Sequence, residues 1–198
     1  MNWDLLGAAA LFGLVVAGTP GPANLSLMTM GATVGFRRSQ RYLMGIWAGG
    51  LVVTALVGLG VGALLQAEPV IYRALQLAGF FYICWLAWQL AGMTGSGRTE
   101  AAQPSFWAGA VLHPINPKAY VMNVTAFASF TAPGMAYGLQ AVMTGVTLAL
   151  VMIFCTTSWT LGGDVLRHWL TQARYAAVLR RGLAVAMVAS VGVPMLLS

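Results

Sequence analysis

The chain has 198 residues, of which 59% are hydrophobic and only 7% charged, with a mean hydropathy of +0.79 and a formal net charge of +6. A soluble domain carries roughly 25% charged residues. This chain cannot cover a globular surface with polar groups, and its composition points to a bilayer. Its basic residues are dispersed along the chain instead of gathered on one soluble face, which argues against a nucleic-acid partner.

Six apolar runs approach the length of about 20 residues that a spanning helix needs: 5–34, 43–65, 70–93, 106–132, 139–161 and 179–197. They are continuous and do not alternate with period two, so helices are expected and not a barrel. The expected fold is an all-α integral membrane protein with six transmembrane helices, forming one domain over residues 1–198. Its first three-helix half covers residues up to about 95 and its second half starts near 104.

The opening stretch "MNWDLLGAAALF" has Asp4 where a signal peptide would be basic, and its apolar run is too long for one, so it reads as the first span. "GTPGPANL" at 18–25 then interrupts that span. Arg37, Arg38 and Arg41 follow it. The second and third runs are joined by a segment in which Glu68 offsets Arg73. Arg98 lies between the third and fourth runs, the fourth-to-fifth connection carries no charge, and Arg167, Arg174, Arg180 and Arg181 lie between the fifth and sixth. Positive residues favour the cytoplasmic side. Connections one, three and five are therefore expected in the cytoplasm and both termini outside. The arginine pair opening the last run is expected to snorkel to the headgroups.

The fourth run contains the second interruption, "HPINPKAY" at 113–120, which includes the only lysine of the chain. Proline removes a backbone donor and clashes with the preceding turn, so neither "TPGP" nor "HPINP" forms a smooth helix. Unpaired backbone groups in hydrocarbon cost several kcal/mol each, and such breaks survive only where protein or water surrounds them. Each break also reads as a helix restart. Asn116 precedes Pro117 as an N-cap before a proline at the first helical position, and Thr19–Pro20 or Gly21–Pro22 reads the same way. A helix that starts mid-membrane aims free N–H groups and a positive dipole end at an anion.

The breaks occupy corresponding positions, in the first span of each three-span half. Three is odd, so the second half is expected upside down relative to the first, the inverted repeat of a secondary transporter with its substrate near the midplane. Lys118 stands about a dozen residues into the fourth run, where insertion costs roughly 2.5–3.5 kcal/mol, a cost that points to function. The alternative is a fourth span that begins at Pro117, which leaves it too short to cross comfortably.

Asn24, Ser26 and Thr29 follow the first break, Asn123 and Thr125 the second, and Thr156, Thr157 and Ser158 lie in the fifth run. Some of these are expected to bond between helices, while Asn24 and Asn116, at the restarts, are the leading binding candidates. Gly45 with Gly49, Gly182 with Ala186, and "GLGVG" at 58–62 read as close-packing surfaces. Cys84 and Cys155 read as small packing residues. His113 and His168 have no ligand partner at helical spacing, so no metal site is expected, and no cofactor is implied. The four carboxylates, Asp4, Glu68, Glu100 and Asp164, form no mid-span pair, which disfavours an intramembrane enzyme. A channel or a structural membrane subunit is the stronger alternative. A GxxxxGK[ST] phosphate loop is absent from the sequence, which disfavours direct ATP drive.

"TPGPANLSLMTMGATVGFRRSQRYLMGIWAGG", "ALQLAGFFYICWLAWQL" and "FWAGAVLHPINPKAYVMNVTAF" together resemble the LysE/RhtB family of bacterial amino-acid exporters over nearly the whole chain. "VGFRR", "NPKAYVM" and "CTTSW" are most similar to its cysteine and O-acetylserine exporter branch. The resemblance implies export of amino acids across the bacterial inner membrane, driven by a proton or ion gradient. It carries Pro20, Gly21, Pro22, Asn116, Pro117 and Lys118 over as motif residues. The asparagine after the second proline is displaced by one, to Asn24. Gly50 stands where many members have an aspartate, so an obvious proton carrier is missing. His113, with an ordinary pKa near 6.5, or Asp164 is then expected to couple protons. The expected partners are a small amino-acid substrate and the lipid bilayer, with a homodimer as the candidate assembly.

Overall fold

The computed structural model describes residues 3–60, 68–92, 105–130, 136–170 and 173–196. Arg98 and Glu100 lie outside them, as do the predicted span ends at 65, 93, 132 and 197, and the side chains of His168, Arg174 and Arg180. Among the described residues every regular element is a helix: α1 (Trp3–Gly18), α2 (Pro22–Val34), α3 (Phe36–Gly58), α4 (Pro69–Gly92), α5 (Phe106–Leu112), α6 (Pro117–Ser129), α7 (Tyr137–Leu170) and α8 (Ala173–Leu196). Helices α3 and α7 are each long and apolar enough to cross a bilayer, and α1 with α2 is so as a pair bent by 61° at its break.

Several boundaries differ from the sequence reading, each for a local reason. Helix α3 begins at Phe36, seven residues before the second apolar run, because one residue makes the whole α2–α3 turn. Gly35 sits at φ 86, ψ 161, where a side chain would be strained. Arg37, Arg38 and Arg41 are therefore exposed on the first turns of a helix and do not form a loop. Helix α7 runs 34 residues, about 51 Å at 1.5 Å per residue, against a hydrocarbon core of about 30 Å. Its length exceeds that thickness, and Asp164 and Arg167 lie in its last two turns. Helix α8 likewise begins at Ala173, so Arg181 lies within it.

Helix α2 is the hub. Its residues from Pro22 to Leu27 are all buried, and it packs on α7, α3 and α8, while α3 packs on α5, α4 on α8, and α1 on α7. Glycines set the closest approaches. A Cβ on Gly31 would overlap the Thr160 carbonyl, one on Gly163 the Met28 carbonyl, one on Gly45 the Phe106 carbonyl, one on Gly49 the Ala110 carbonyl and one on Gly109 the Tyr42 carbonyl. Gly45 and Gly49 thus form the packing surface expected of them, against α5. Gly182 does not, since nothing lies within 4 Å of a Cβ there. Helix α8 packs instead through Leu183, Ala184 and Met187. One core gathers Leu27, Tyr42, Leu43, Ile46, Ile83 and Met187, and a second gathers Val53, Val57, Phe127 and Leu148. On the outside, Val142, Val146, Leu150 and Phe154 repeat every four residues as an exposed apolar stripe along α7, as a lipid-facing helix requires.

Candidate functional site

The first break begins where α1 stops at Gly18 and ends where α2 starts at Pro22. Of the two restarts the sequence allows, the one at Gly21–Pro22 forms. Gly21 is the extended N-cap (φ −156, ψ 170), with no side-chain cap. Thr19 instead serves the end of α1. A helix end leaves its last carbonyls without partners, and here side chains supply them. The Thr19 hydroxyl donates to the Val16 carbonyl at 2.8 Å. The Asn24 amide donates to the Ala17 and Thr19 carbonyls at 2.6 and 2.9 Å. Trp159 Nε1 donates to the Gly18 carbonyl at 3.1 Å, and Lys118 Nζ to the Thr19 carbonyl at 3.3 Å. Four carbonyls in a row are thus satisfied by residues of α2, α6, α7 and the break itself, which lets the break persist in an apolar medium.

The second break spans His113–Asn116. Its amides and carbonyls are also answered locally: Ile115 N–H donates to the Val111 carbonyl at 3.3 Å, Asn116 N–H to the His113 carbonyl at 3.0 Å, and the Tyr120 hydroxyl to the Pro114 carbonyl at 3.0 Å. Asn116 (φ −97, ψ 107) caps α6 by accepting from Lys118 N–H at 3.1 Å, with Pro117 at the first helical position. Ala119 N–H donates to the Asn116 carbonyl at 3.0 Å. The start of α6 therefore has its donors occupied or, at Pro117, lacking, whereas the start of α2 is uncapped. Asn116→Ala is expected to cost about 0.5–2 kcal/mol, the usual value of such a cap, and Asn116→Asp to cost far less. Thermal unfolding in detergent reads the difference.

Between the breaks lies a cavity of about 50 Å³, lined by residues of both breaks and of α2, α3, α6 and α7. That is room for a few water molecules. Gly21, Asn24, His113, Asn116 and Lys118 all line it. The structure thus brings together five of the residues singled out from the sequence, from segments ninety residues apart. Pro22 and Pro117 line a second, smaller void of about 10 Å³ with Asn116, against Gly79 and Ile83. Pro20 lies exposed in the break and lines neither. Asp164 stands two turns beyond Thr156, the last cavity residue of α7, about 12 Å further along the helix axis. There it lies beside Gly35, with Arg167.

Lys118 is the centre of the geometry. Its ammonium donates to the Thr19 hydroxyl at 2.8 Å and passes over Gly21, where a Cβ would come to 3.1 Å from Nζ. It therefore sits at the negative end of α1 and beside the uncapped, positive start of α2. Its own position, second in α6, is also a positive end, which disfavours a lysine. No carboxylate lines the cavity, so the Lys118 ammonium and the uncapped start of α2 meet there without an acidic side chain. An anion is the ligand whose charge complements that arrangement.

Sequence reasoning missed three features here. Thr19 is a partner of Lys118 and no cap. Both hydrogens of the Asn24 amide are spent on the carbonyls of Ala17 and Thr19, so only its oxygen remains to meet a ligand. Gly50 faces Met152 and His113, and a Cβ there would overlap the Met152 sulfur, so the methionine fills the space that a side chain at 50 would take.

The model of the LysE type translocator family matches residues 14–198, nearly the whole chain and both breaks. The chain belongs to the LysE type translocator family. This translocator is 33% identical over 173 residues to the cysteine/O-acetylserine efflux proteins of Escherichia coli (strain K12) and Shigella sonnei (strain Ss046), a match covering 87% of the chain and 89% of each relative. The protein of the same description from Shigella flexneri is 33% identical over 169 residues, covering 85% of the chain and 87% of the relative. No solved structure matches the translocator. Its family and relatives are translocators and efflux proteins, not enzymes.

Proposed function

We propose that this chain exports small amino acids with uncharged side chains, of the kind that cysteine and O-acetylserine represent, from the cytoplasm across the bacterial inner membrane. The observation that carries this reading is the Lys118 ammonium, held over the open start of α2 in a cavity without an acid. An ammonium has three donors; two are on Thr19 and the third is left for a substrate carboxylate. The Ala23 and Asn24 N–H groups at the uncapped start of α2 complete the anion site. The remaining wall offers Ala17, Ala23, Ala119, Leu148 and Met152, apolar contact with no second charge, which suits a small uncharged side chain.

The domain works as two three-helix halves in an inverted repeat: α1 to α4, with α1 and α2 as one broken span, and α5 to α8, with α5 and α6 as the other. The packing supports this reading, because its contacts come in exchanged pairs. Helix α3 packs on α5 and α6, α7 packs on α1 and α2, and α4 packs on α8. One half rocks against the other about the cavity. Both termini face outward and the arginine-bearing ends of α3 and α7 face the cytoplasm. A proton gradient drives the exchange, and His113, the one imidazole lining the cavity, is its candidate carrier. Asp164 lies too far along α7 to act at the cavity directly.

Counterflow in proteoliposomes tests this reading. Labelled cysteine should accumulate against unlabelled cysteine in a vesicle holding the translocator, whereas a pore lets the label leak and a structural subunit moves none. Thr19 supplies a second test, because it orients Lys118 through its hydroxyl. Thr19→Val is expected to raise KM for export at least fivefold with little change in maximal rate, and Thr19→Ser to stay near wild type. Initial rates in the same vesicles decide it.

A further inference from the structure

A substrate held by its carboxylate still carries an ammonium, and the cavity has no acid to receive it. The acceptors it does have are neutral. Asn123 is 2% exposed and lines the cavity with its own helix neighbours Ala119 and Met122. Its Nδ2 donates to the Ala119 carbonyl at 2.8 Å, which fixes the amide and leaves Oδ1 as the free end. That Oδ1 is buried and has no hydrogen-bond partner. Across the same cavity, both ring nitrogens of His113 are buried and unpartnered as well. Buried polar atoms are nearly always paired; Asn123 Oδ1 and the bare nitrogen of a neutral imidazole both lack a donor, while the imidazole N–H lacks an acceptor, so the cavity is short of a ligand that donates. The donor must be small, to enter between α6, α3 and α7.

We infer that Asn123, through its Oδ1, accepts a hydrogen bond from the substrate's ammonium, so that the cavity reads an α-amino acid at both ends. This rests on the export reading above, and it adds a selection that Lys118 alone does not make. Lys118 and the start of α2 hold any small carboxylate. Asn123 restricts transport to carboxylates that carry a free amino group beside them, and it is a specificity-determining residue. A site built to hydrogen-bond a group rejects the analogue that lacks it, because the buried partner is then left unpaired. Met152 and Leu148, opposite on α7, offer the ammonium no strong side-chain acceptor of their own.

Counterflow of labelled cysteine in proteoliposomes of purified translocator tests this, with cysteine, 3-mercaptopropionate (which lacks the amino group) and N-acetylcysteine as competitors. The wild type should be inhibited by cysteine and at least tenfold more weakly by the other two. Asn123→Leu, close in volume but without an acceptor, should raise KM for cysteine at least tenfold and bring cysteine and 3-mercaptopropionate to similar potency. Asn123→Asp, which keeps the shape and the acceptor, should restore the preference. If Asn123→Leu does not accumulate, the Asp variant and the wild-type competition series still decide. The inference is overturned if 3-mercaptopropionate competes as well as cysteine on the wild type, or if a folded Asn123→Leu protein keeps the preference. A wild type that shows no cysteine counterflow at all would instead overturn the export reading itself.

Discussion

Lys118→Gln is expected to lower export at least tenfold at equal abundance in the membrane. A hydrogen bond to a charged group is worth about 1.5–3 kcal/mol, which converts to roughly a 10- to 150-fold loss. Glutamine keeps a donor, on a stem one atom shorter, but removes the charge. Folding should tolerate this well, because a neutral group at that depth is cheaper than a lysine and because the Thr19 hydroxyl and carbonyl can still be met. Lys118→Arg should also be impaired. Gly21 leaves room for a slender ammonium, with Nζ at 3.1 Å and Cδ at 3.5 Å from where a Cβ would stand, and a planar guanidinium needs more width. Metabolite export from cells, normalised to immunoblotted membrane protein, separates lost activity from lost protein. A Lys118→Gln protein that exports at the wild-type rate removes the cation from the mechanism.

Gly31→Ala is expected to destabilise the fold strongly. The added carbon would overlap the Thr160 carbonyl and meet the Asp164 nitrogen at 2.9 Å, and both are backbone of α7, which cannot swing aside. Overpacking of this kind costs about 1–3 kcal/mol or more, and a chain of this size then loses roughly 5–10 °C in Tm. Gly163→Ala, against the Met28 backbone from the other side of the same contact, should do the same. Gly7→Ala and Gly182→Ala are the controls, since each faces open space and alanine is the better helix former. Thermal unfolding in detergent should place the first pair well below wild type and the second pair at or above it. Equal melting of all four would mean that α2 and α7 do not approach through glycine.

Both interruptions were legible in the sequence because proline acts locally. Its ring and missing donor break a helix whatever surrounds it, so "TPGP" and "HPINP" located the ends of α1 and α5 within a few residues, and Asn116–Pro117 located the α6 cap. Gly45 and Gly49 were legible because their four-residue spacing puts both on one helix face. The partners that hold the breaks open to each other were not legible, since they depend on approach in space. Nothing near Asn24 in sequence tells that its amide will be spent on the carbonyls of Ala17 and Thr19. Nothing near Thr19 tells that a lysine ninety-nine residues away will donate to it. The start of α3 was missed because arginines on an exposed helical turn and arginines in a loop have the same composition. Only the positive φ of Gly35 separates the two cases, and Gly at that position was compatible with either. The far end of α7 was missed for the related reason that helix and hydrophobicity part company once the chain leaves the bilayer.

The alternating-access account unites these observations. The α1 end, the α2 start and the α6 start converge on one small cavity, with Lys118 reaching from the second half of the chain to the first. On the proposed function, a carboxylate bound there would bridge α2 on one side and Lys118 on the other, at the contacts that alternating access would have to loosen. Gly31, Gly45, Gly49, Gly109 and Gly163 bring the packed helices together backbone to backbone.

The most direct measurement is counterflow of a labelled small amino acid in proteoliposomes of the purified protein, driven either by the same amino acid or by its α-carboxamide. The carboxamide keeps the size and side chain but replaces the negative oxygen, which Lys118 and the open start of α2 are arranged to hold, with a neutral NH2 group. The free amino acid should drive uptake of label and the carboxamide should not. Equal drive by both would contradict a cavity organised around a carboxylate.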